Sequence, residues 1–172
     1  YLDNITLVAA NDTTNTNLLV NGSFEDYEET AITSKVTEEA SNKWAVSFTG
    51  DKDNLSSNAI SERNADYARS GNASWVIAYP QTSQNVYYGV ENTSLMIPAG
   101  NYTLTFYTRG SYNTSAVQVI LANESNEAVI NKTLTGLSNT SGENCASYIN
   151  VEDVNGWKKH TVALTLGDKV KS

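Results

Sequence analysis

The sequence has few of the residues on which enzyme and metal chemistry usually depend. It contains one cysteine, Cys145, and one histidine, His160, among 172 residues. A single cysteine excludes an intramolecular disulfide, and no Cys and His cluster with zinc-ligand spacing is present. There is also no phosphate-binding loop and no Ser or Cys nucleophile in a recognisable turn motif. We therefore expect a non-catalytic protein, with His160 solvated or at the rim of a strand.

Positive charge is also scarce. The chain has 11 Lys and Arg against 19 Asp and Glu, which gives a net charge of −8. Without a basic face, binding to nucleic acid or to an anionic membrane surface is not expected. No apolar run approaches the ~20 residues that span a bilayer. The acidic group Asp26, Glu28 and Glu29 is interpreted as a solvated loop, because glycosidase carboxylates normally come from separate strand ends.

Asparagine, serine and threonine take the place of charge, and they form an excess of N-glycosylation sequons. The pattern Asn-x-Ser/Thr occurs eleven times, whereas chance would give about 4.5 from 21 Asn and 37 Ser or Thr residues. This excess predicts a secreted, extracellular or cell-surface glycoprotein, with a bacterial chain rich in Asn and Thr as the alternative. The expected acceptors, leaving aside Asn4 and Asn21 in partly buried segments, are Asn11, Asn54, Asn72, Asn92, Asn101, Asn113, Asn123, Asn131 and Asn139.

Alternating apolar and polar residues predict strands along most of the chain, and the one helix candidate, 38–42, is very short. The predicted strands are 1–8, 18–20, 43–49, 73–79, 101–109, 116–122, 128–134 and 157–166. Turn signals separate them at 98–101, 109–111 and 155–156. Strands at this spacing indicate an all-β fold, a jelly-roll β-sandwich. Residues 1–8 form an N-terminal strand, 9–16 a polar linker and 17–172 the sandwich domain.

Five segments carry a resemblance to a known family. They are 17–25 (NLLVNGSFE), 42–46 (NKWAV), 68–75 (ARSGNASW), 98–104 (PAGNYTL) and 157–162 (WKKHTV). In this order they resemble the landmarks of carbohydrate-binding modules with a galactose-binding-domain-like jelly roll. The resemblance covers most of the chain and implies that fold.

The chain departs from the family pattern at its last strand. The C-terminal residues 167–172 lack that strand, whereas YLDNITL at 1–7 matches it. A sandwich without one strand exposes an apolar groove and unpaired backbone groups. The strand 1–7 can close its own domain, enter a neighbouring copy by donor-strand complementation, or belong to a tandem array of adjacent domains. Donation between copies is head-to-tail and builds filaments. The expected donor residues are Tyr1, Leu2, Asp3, Ile5 and Leu7.

The resemblance also implies a structural calcium ion. It assigns the ligands to Glu25 of the opening motif, Asp3 of the displaced strand and the loop carbonyls of the turn 70–72, with Asn72 as the third metal-site residue. Calcium binds carboxylate and carbonyl oxygens, and the alternation of Asp3 with Ile5 and Leu7 points that carboxylate inward. The alternative is a hydrogen-bonded Asp3 without a metal ion.

Sugar binding requires exposed aromatic faces. The candidates are Trp44, Tyr79, Tyr87 and Tyr88, although a tryptophan such as Trp44 is more often a core residue. The leading functional hypothesis is a glycosylated surface or filament subunit that assembles head-to-tail by strand donation. The alternative is a calcium-stabilised carbohydrate-binding module of a secreted glycoside hydrolase or adhesin.

Overall fold

The computed structural model of the chain describes residues 1–26, 43–49, 59–78, 87–137 and 142–172. These residues form ten strands and a 3-10 helix, Leu134–Gly136. The strands are Leu2–Ala9 (β1), Trp44–Thr49 (β2), Ile60–Asn64 (β3), Ser74–Ala78 (β4), Tyr87–Asn92 (β5), Gly100–Thr108 (β6), Gln118–Ala122 (β7), Ala128–Thr133 (β8), Cys145–Val154 (β9) and Trp157–Leu166 (β10).

The predicted all-β class is confirmed: the strand pairs are antiparallel, as in a β-sandwich. The jelly-roll connectivity stays a prediction. The helix candidate at 38–42 lies outside the described residues. Within the described part of the chain, no helix has the length and apolar character needed to cross a bilayer.

The first of two compact units comprises Tyr1–Asn4 and Asn21–Thr93. It contains the neighbouring strands β3, β4 and the start of β1, and a separate pair formed by β2 and β5. The core aromatic Phe24 is fully buried, with its ring centroid 5.1 Å from that of Trp44 and 5.5 Å from that of Trp75. Trp75 Nε1 donates to Ser61 Oγ at 2.9 Å, and Ser61 Oγ donates to the Gly89 carbonyl at 2.8 Å. These contacts join the two sheets of this unit.

The second unit comprises Ile5–Val20 and Ser94–Ser172. Its main sheet has the order β1-β6-β10-β9, and β7 and β8 form a hairpin. Along β10 the side chains of Val162, Leu164 and Leu166 are buried, as the period-two pattern predicts. Asn155 (φ 51°) and Gly156 (φ 81°) form the two-residue turn between β9 and β10, and positive φ at both positions matches the twist of a hairpin.

Strand β1 is bonded within its own chain. Leu2 pairs with Trp75 of β4 in the first unit, and the later part of β1 neighbours β6 in the second. The side chains of Asp3, Ile5 and Leu7 are 0%, 7% and 1% exposed. Of the three ways to complete the sheet, the structure contains closure by the chain's own strand. Donation of this strand to a neighbouring copy stays a prediction.

The predicted linker 9–16 is folded back beside β1. The Leu18 N–H donates to the Leu7 carbonyl at 2.8 Å, and the Leu7 N–H donates to Asn17 Oδ1 at 2.8 Å. The Ala10 N–H donates to the Asn101 carbonyl at 2.9 Å. The two ends of the segment are therefore held together by its own backbone and by the Asn17 side chain.

The predicted strand at 18–20 is wrong. Residues 18–20 carry no ladder, and positive φ values at Asn21 (53°) and Phe24 (59°) bend the backbone instead. The bend places Phe24 in the core while Leu18 and Val20 remain exposed. Strands β3, β5 and β9 were not predicted. β9 carries Glu152 and Asp153 on an exposed stretch, which hides the alternation that marks a strand.

Candidate functional site

Asp3 is a buried carboxylate held by backbone N–H groups. Its Oδ1 accepts from the Asn4 N–H at 2.6 Å, and its Oδ2 accepts from the Arg69 N–H at 2.7 Å. Burial raises the pKa of Asp3, the charge of nearby Glu25 raises it further, and the backbone hydrogen bonds oppose both effects. Asp3 on β1 therefore lies close to Glu25 of the opening motif, as the resemblance implies.

Glu25 is wrapped by the turn that precedes β4. The Asn72 N–H lies 3.0 Å from both Glu25 carboxylate oxygens, and the Ala73 N–H donates to Oε1 at 3.0 Å. Gly71 has φ +70°, and a Cβ at this position would lie 2.4 Å from Glu25 Oε1. The turn needs glycine both for its left-handed backbone and for the close approach of the carboxylate.

Asn4 completes the cluster from the other side of Asp3. Its side-chain amide exchanges hydrogen bonds with Ser70 Oγ, at 2.8 Å and 3.0 Å. When the amide nitrogen faces Asp3, it lies 3.1 Å from Oδ1 and 3.2 Å from Oδ2, and Ser70 Oγ remains bonded. In that orientation the carboxylate of Asp3 accepts from backbone and side-chain donors together.

The cluster brings together Asp3, Glu25 and Asn72, the residues that the resemblance assigns to calcium. Every described hydrogen bond to the two carboxylates comes from an N–H group, and an N–H group cannot itself coordinate a cation. No three His, Cys, Asp or Glu side chains converge on one point among the described residues. The donor set is complete as a hydrogen-bonded cluster, and calcium binding stays a prediction.

Replacing Gly71 with alanine tests the Glu25 turn. We expect Gly71→Ala to lower the free energy of unfolding by about 2–3 kcal/mol, because it combines a left-handed alanine with a collision against Glu25. Gly156→Ala is the matched control, since its φ is +81° and no heavy atom lies within 4 Å of the new Cβ. Urea unfolding would measure both, and equal losses would contradict the role of Glu25.

Of the four aromatic residues predicted to bind sugar, the structure describes the side chain of one, Trp44. Trp44 is 5% exposed and packs edge-on against Phe24, so neither of its faces is available to a sugar ring. Its assignment to sugar binding is corrected to a core role. Tyr79 lies outside the described residues, as do the side chains of Tyr87 and Tyr88 on β5.

The predicted glycan acceptors differ in accessibility. Asn92 is 6% exposed, which leaves no room for a glycan in the folded chain. Asn123 is half-buried and holds a turn by accepting from the Ser125 and Glu127 N–H groups. Asn54 and Asn139 lie outside the described residues. The exposed acceptors are Asn11, Asn72, Asn101, Asn113 and Asn131.

A second polar cluster lies in the second unit around His160. The ring is 2% exposed and stacks on Phe106, with centroids 4.6 Å apart and planes at 8°. Nε2 is 2.8 Å from Thr108 Oγ1, Nδ1 is 3.1 Å from the Tyr148 hydroxyl, and Thr108 Oγ1 is 2.6 Å from the Tyr112 hydroxyl. The expectation of a solvated or rim histidine is therefore wrong, because β10 turns this side chain to the same face as Val162.

His160 is neutral at ordinary pH. Burial lowers the pKa of His160 to about 4, and the charge of Lys158 adds to the effect. Burial also raises the pKa of Tyr148 to about 12, so its hydroxyl keeps its proton. Lys158 itself pairs with Asp153 at 3.0 Å.

Three members of the His160 cluster, His160, Tyr112 and Tyr148, line a cleft of about 410 Å³. Its walls combine hydroxyl groups, aromatic rings and one paired cation. They include Ser111, Tyr112, Thr114, Thr135, Tyr148 and Lys158. The sequence offers one signal for this site, a lone histidine in phase with the apolar residues of β10. Its hydroxyl partners come from three other segments, and their convergence depends on the fold.

Comparisons with known proteins add no relative. No protein-family model matches the chain, and neither the search of curated proteins nor that of solved structures found a match.

Proposed function

We propose that the chain is a non-catalytic, extracellular carbohydrate-binding module whose sheet is completed by its own N-terminal strand. The observation that carries this proposal is the position of β1. Its start pairs with β4, its later part neighbours β6, and its inward side chains are buried in the same chain. Among the described residues, the edges of β4 and β6 that a missing strand would leave open are both occupied by β1, which supports closure without a partner's strand.

Two measurements test this proposal. Light scattering coupled to size exclusion should give a monomer, because the strand that would link copies is already used. Affinity electrophoresis through gels containing neutral polysaccharides should retard the protein, while a gel without polysaccharide should not. Concentration-dependent polymers without retardation would refute the module and favour the filament subunit.

Assembly by strand donation is the second candidate. The segment between β1 and Leu18 is largely exposed, and Asp12 supplies its local hydrogen bonds by accepting from Thr14 and Thr16. Extension of this segment would break the hydrogen bonds of Leu7 to Asn17 and Leu18, after which β1 would make its sheet contacts in the next copy. Domain exchange of this kind is an inexpensive route from monomers to polymers.

We expect natural material to be glycosylated at exposed sequons. Peptide mass spectrometry with and without glycosidase treatment should find glycans at sites such as Asn11, Asn113 and Asn131, and none at buried Asn92. An intact mass equal to the 18.7 kDa polypeptide would contradict the extracellular assignment.

Calcium is proposed as a stabiliser of the Asp3 cluster. Asp3, Glu25 and Asn72 would hold it, and its positive charge would stabilise the ionised carboxylate of Asp3, whose pKa is raised by burial and, to a smaller extent, by the charge of Glu25. Calcium at a hundred times its dissociation constant would add about 2.7 kcal/mol to the free energy of unfolding. Thermal melting with calcium or chelator measures this effect. Glu25→Gln should remove the response, and Asp12→Asn should keep it. No response in the unsubstituted chain would identify the cluster as hydrogen-bonded only.

A further inference from the structure

We propose that the cleft above His160 binds a neutral, hydroxyl-rich ligand of the saccharide class through the hydroxyls of Tyr112 and Tyr148. This inference rests on the proposed function and gives it a site. The site differs from the aromatic positions predicted from the sequence, of which Trp44 is buried.

A neutral histidine donates from one ring nitrogen and accepts at the other. When Nδ1 carries the proton, His160 donates to Tyr148, whose own O–H is then free to donate. Nε2 accepts from Thr108, and Thr108 accepts from Tyr112. The Tyr112 oxygen is left with lone pairs. In this tautomer the hydrogen-bond network therefore offers a ligand one donor, on Tyr148, and one acceptor, on Tyr112.

The other tautomer exchanges the two roles. When Nε2 carries the proton, His160 donates to Thr108, Thr108 donates to Tyr112, and the Tyr112 O–H is free. Tyr148 then donates to Nδ1 and offers lone pairs. In both states one tyrosine donates while the other accepts. Both tyrosines line the cleft.

This arrangement discriminates between ligand classes. A pair of neighbouring sugar hydroxyls can donate to one tyrosine and accept from the other, whichever tautomer is present. A carboxylate or sulfate only accepts, and an ammonium only donates, so each leaves one tyrosine unmatched. The cation at the rim, Lys158, is already paired with Asp153 and does not provide an uncompensated charge for an anion.

The walls of the cleft fit the same class. Ser111, Thr114 and Thr135 add hydroxyls that both donate and accept, and the two tyrosine rings supply apolar surface for the C–H faces of a sugar. The volume of about 410 Å³ lies within the range of small-molecule sites and is sufficient for one or two sugar rings.

The experiment uses the full chain labelled with ¹⁵N and followed by NMR during titration. The probes are the neutral hexasaccharides of cellulose, xylan, mannan and β-1,3-glucan, with acetate and inorganic sulfate as anionic controls that only accept hydrogen bonds. A neutral probe should shift the backbone signals of residues 110–114, Tyr148 and Lys158. Tyr148→Phe and Tyr112→Phe should each weaken its binding about tenfold, since each removes one ligand hydrogen bond. Tyr67→Phe, in the other unit, should leave binding unchanged.

The possible outcomes distinguish failure of the proposed binding cleft from failure of the proposed carbohydrate-binding function. Saccharide binding that is equal in the unsubstituted chain and both cleft variants would overturn this site and leave the carbohydrate-binding module standing. Tighter binding of either anionic probe would overturn the ligand class. No binding of any neutral probe at millimolar concentration would overturn both this inference and the proposed function. Melting temperatures within a few degrees of the unsubstituted chain would exclude misfolding of the Phe variants.

Discussion

Deletion of residues 1–9 is expected to abolish cooperative folding. Ile5 and Leu7 are buried, and each contributes about 1.5–3 kcal/mol through removal of apolar surface from water. The deletion also removes Asp3, which leaves the Arg69 N–H without this acceptor, and opens the edges of β4 and β6. These losses together approach the whole stability of a typical domain, about 5–15 kcal/mol. The truncated chain should lack a sigmoidal melting transition.

Supplying the deleted strand as a separate peptide tests whether the loss of cooperative folding is caused by the loss of β1 itself. A synthetic peptide of residues 1–9 should restore cooperative melting when supplied in excess, measured by circular dichroism. The same peptide with Ile5 and Leu7 replaced by serine should fail, whereas a peptide with Thr6→Ala should succeed, because Thr6 is not one of the buried positions. A truncated chain that melts like the complete one would show that β1 does not complete the sheet. Restoration by the peptide would also show that the strand can be supplied by a separate molecule, as donor-strand complementation requires.

Acidification is expected to destabilise the chain between pH 6.5 and about 4 through its only histidine. The pKa of His160 is lowered to about 4 from its ordinary 6.5, so the unfolded chain binds a proton in this interval that the folded chain does not. Stability is therefore full above pH 6.5 and falls as the pH approaches the folded pKa. One pKa unit is worth about 1.4 kcal/mol, and solvent in the cleft screens part of the effect. We expect a loss on the order of 2 kcal/mol.

The carboxylates of Asp12 and Asp3 also contribute to the pH dependence of stability, and their contributions differ from that of His160. Hydrogen bonds from the Thr14 side chain and neighbouring groups lower the pKa of Asp12 to about 2, so its contribution is lost only below pH 3.8. The raised pKa of Asp3 acts with the opposite sign, since its protonation favours the folded state. Urea unfolding at several pH values would measure the sum. His160→Gln keeps both carboxylates and should flatten the curve between pH 6.5 and 5. An unchanged slope in this variant would assign the pH dependence to another group.

Much of the fold could be predicted from local sequence. β10 has its predicted bounds, and β1, β2, β4 and β6 differ from theirs by about one residue, because period-two alternation reflects burial on one face of a sheet. The strand predicted at 18–20 is absent, because apolar residues beside a bend resemble the apolar pattern of a short strand. β9 was missed although the turn Asn155–Gly156 marks a hairpin, which requires a strand on both sides.

The candidate sites were predictable to different extents. The resemblance of the opening motif placed Glu25 beside Asp3 and the turn 70–72, and the structure brings them together with bonds from Asn72 and Ala73. The His160 cleft was not predictable. Its partners, Thr108, Tyr112 and Tyr148, lie 52, 48 and 12 residues away along the chain. No local spacing encodes such a contact.

The sequence by itself determined the all-β class, the inward face of β1, and a surface in which Asn, Ser and Thr replace charge. These properties follow from alternation and composition, which act over a few neighbouring residues. Only the tertiary structure decided that β1 neighbours β4 and β6, that Trp44 and Asn92 are buried, and that His160 is a neutral ring among hydroxyls. Those properties depend on strands distant in sequence becoming neighbours, because burial and hydrogen-bond partners are set by the packed chain and not by any segment alone.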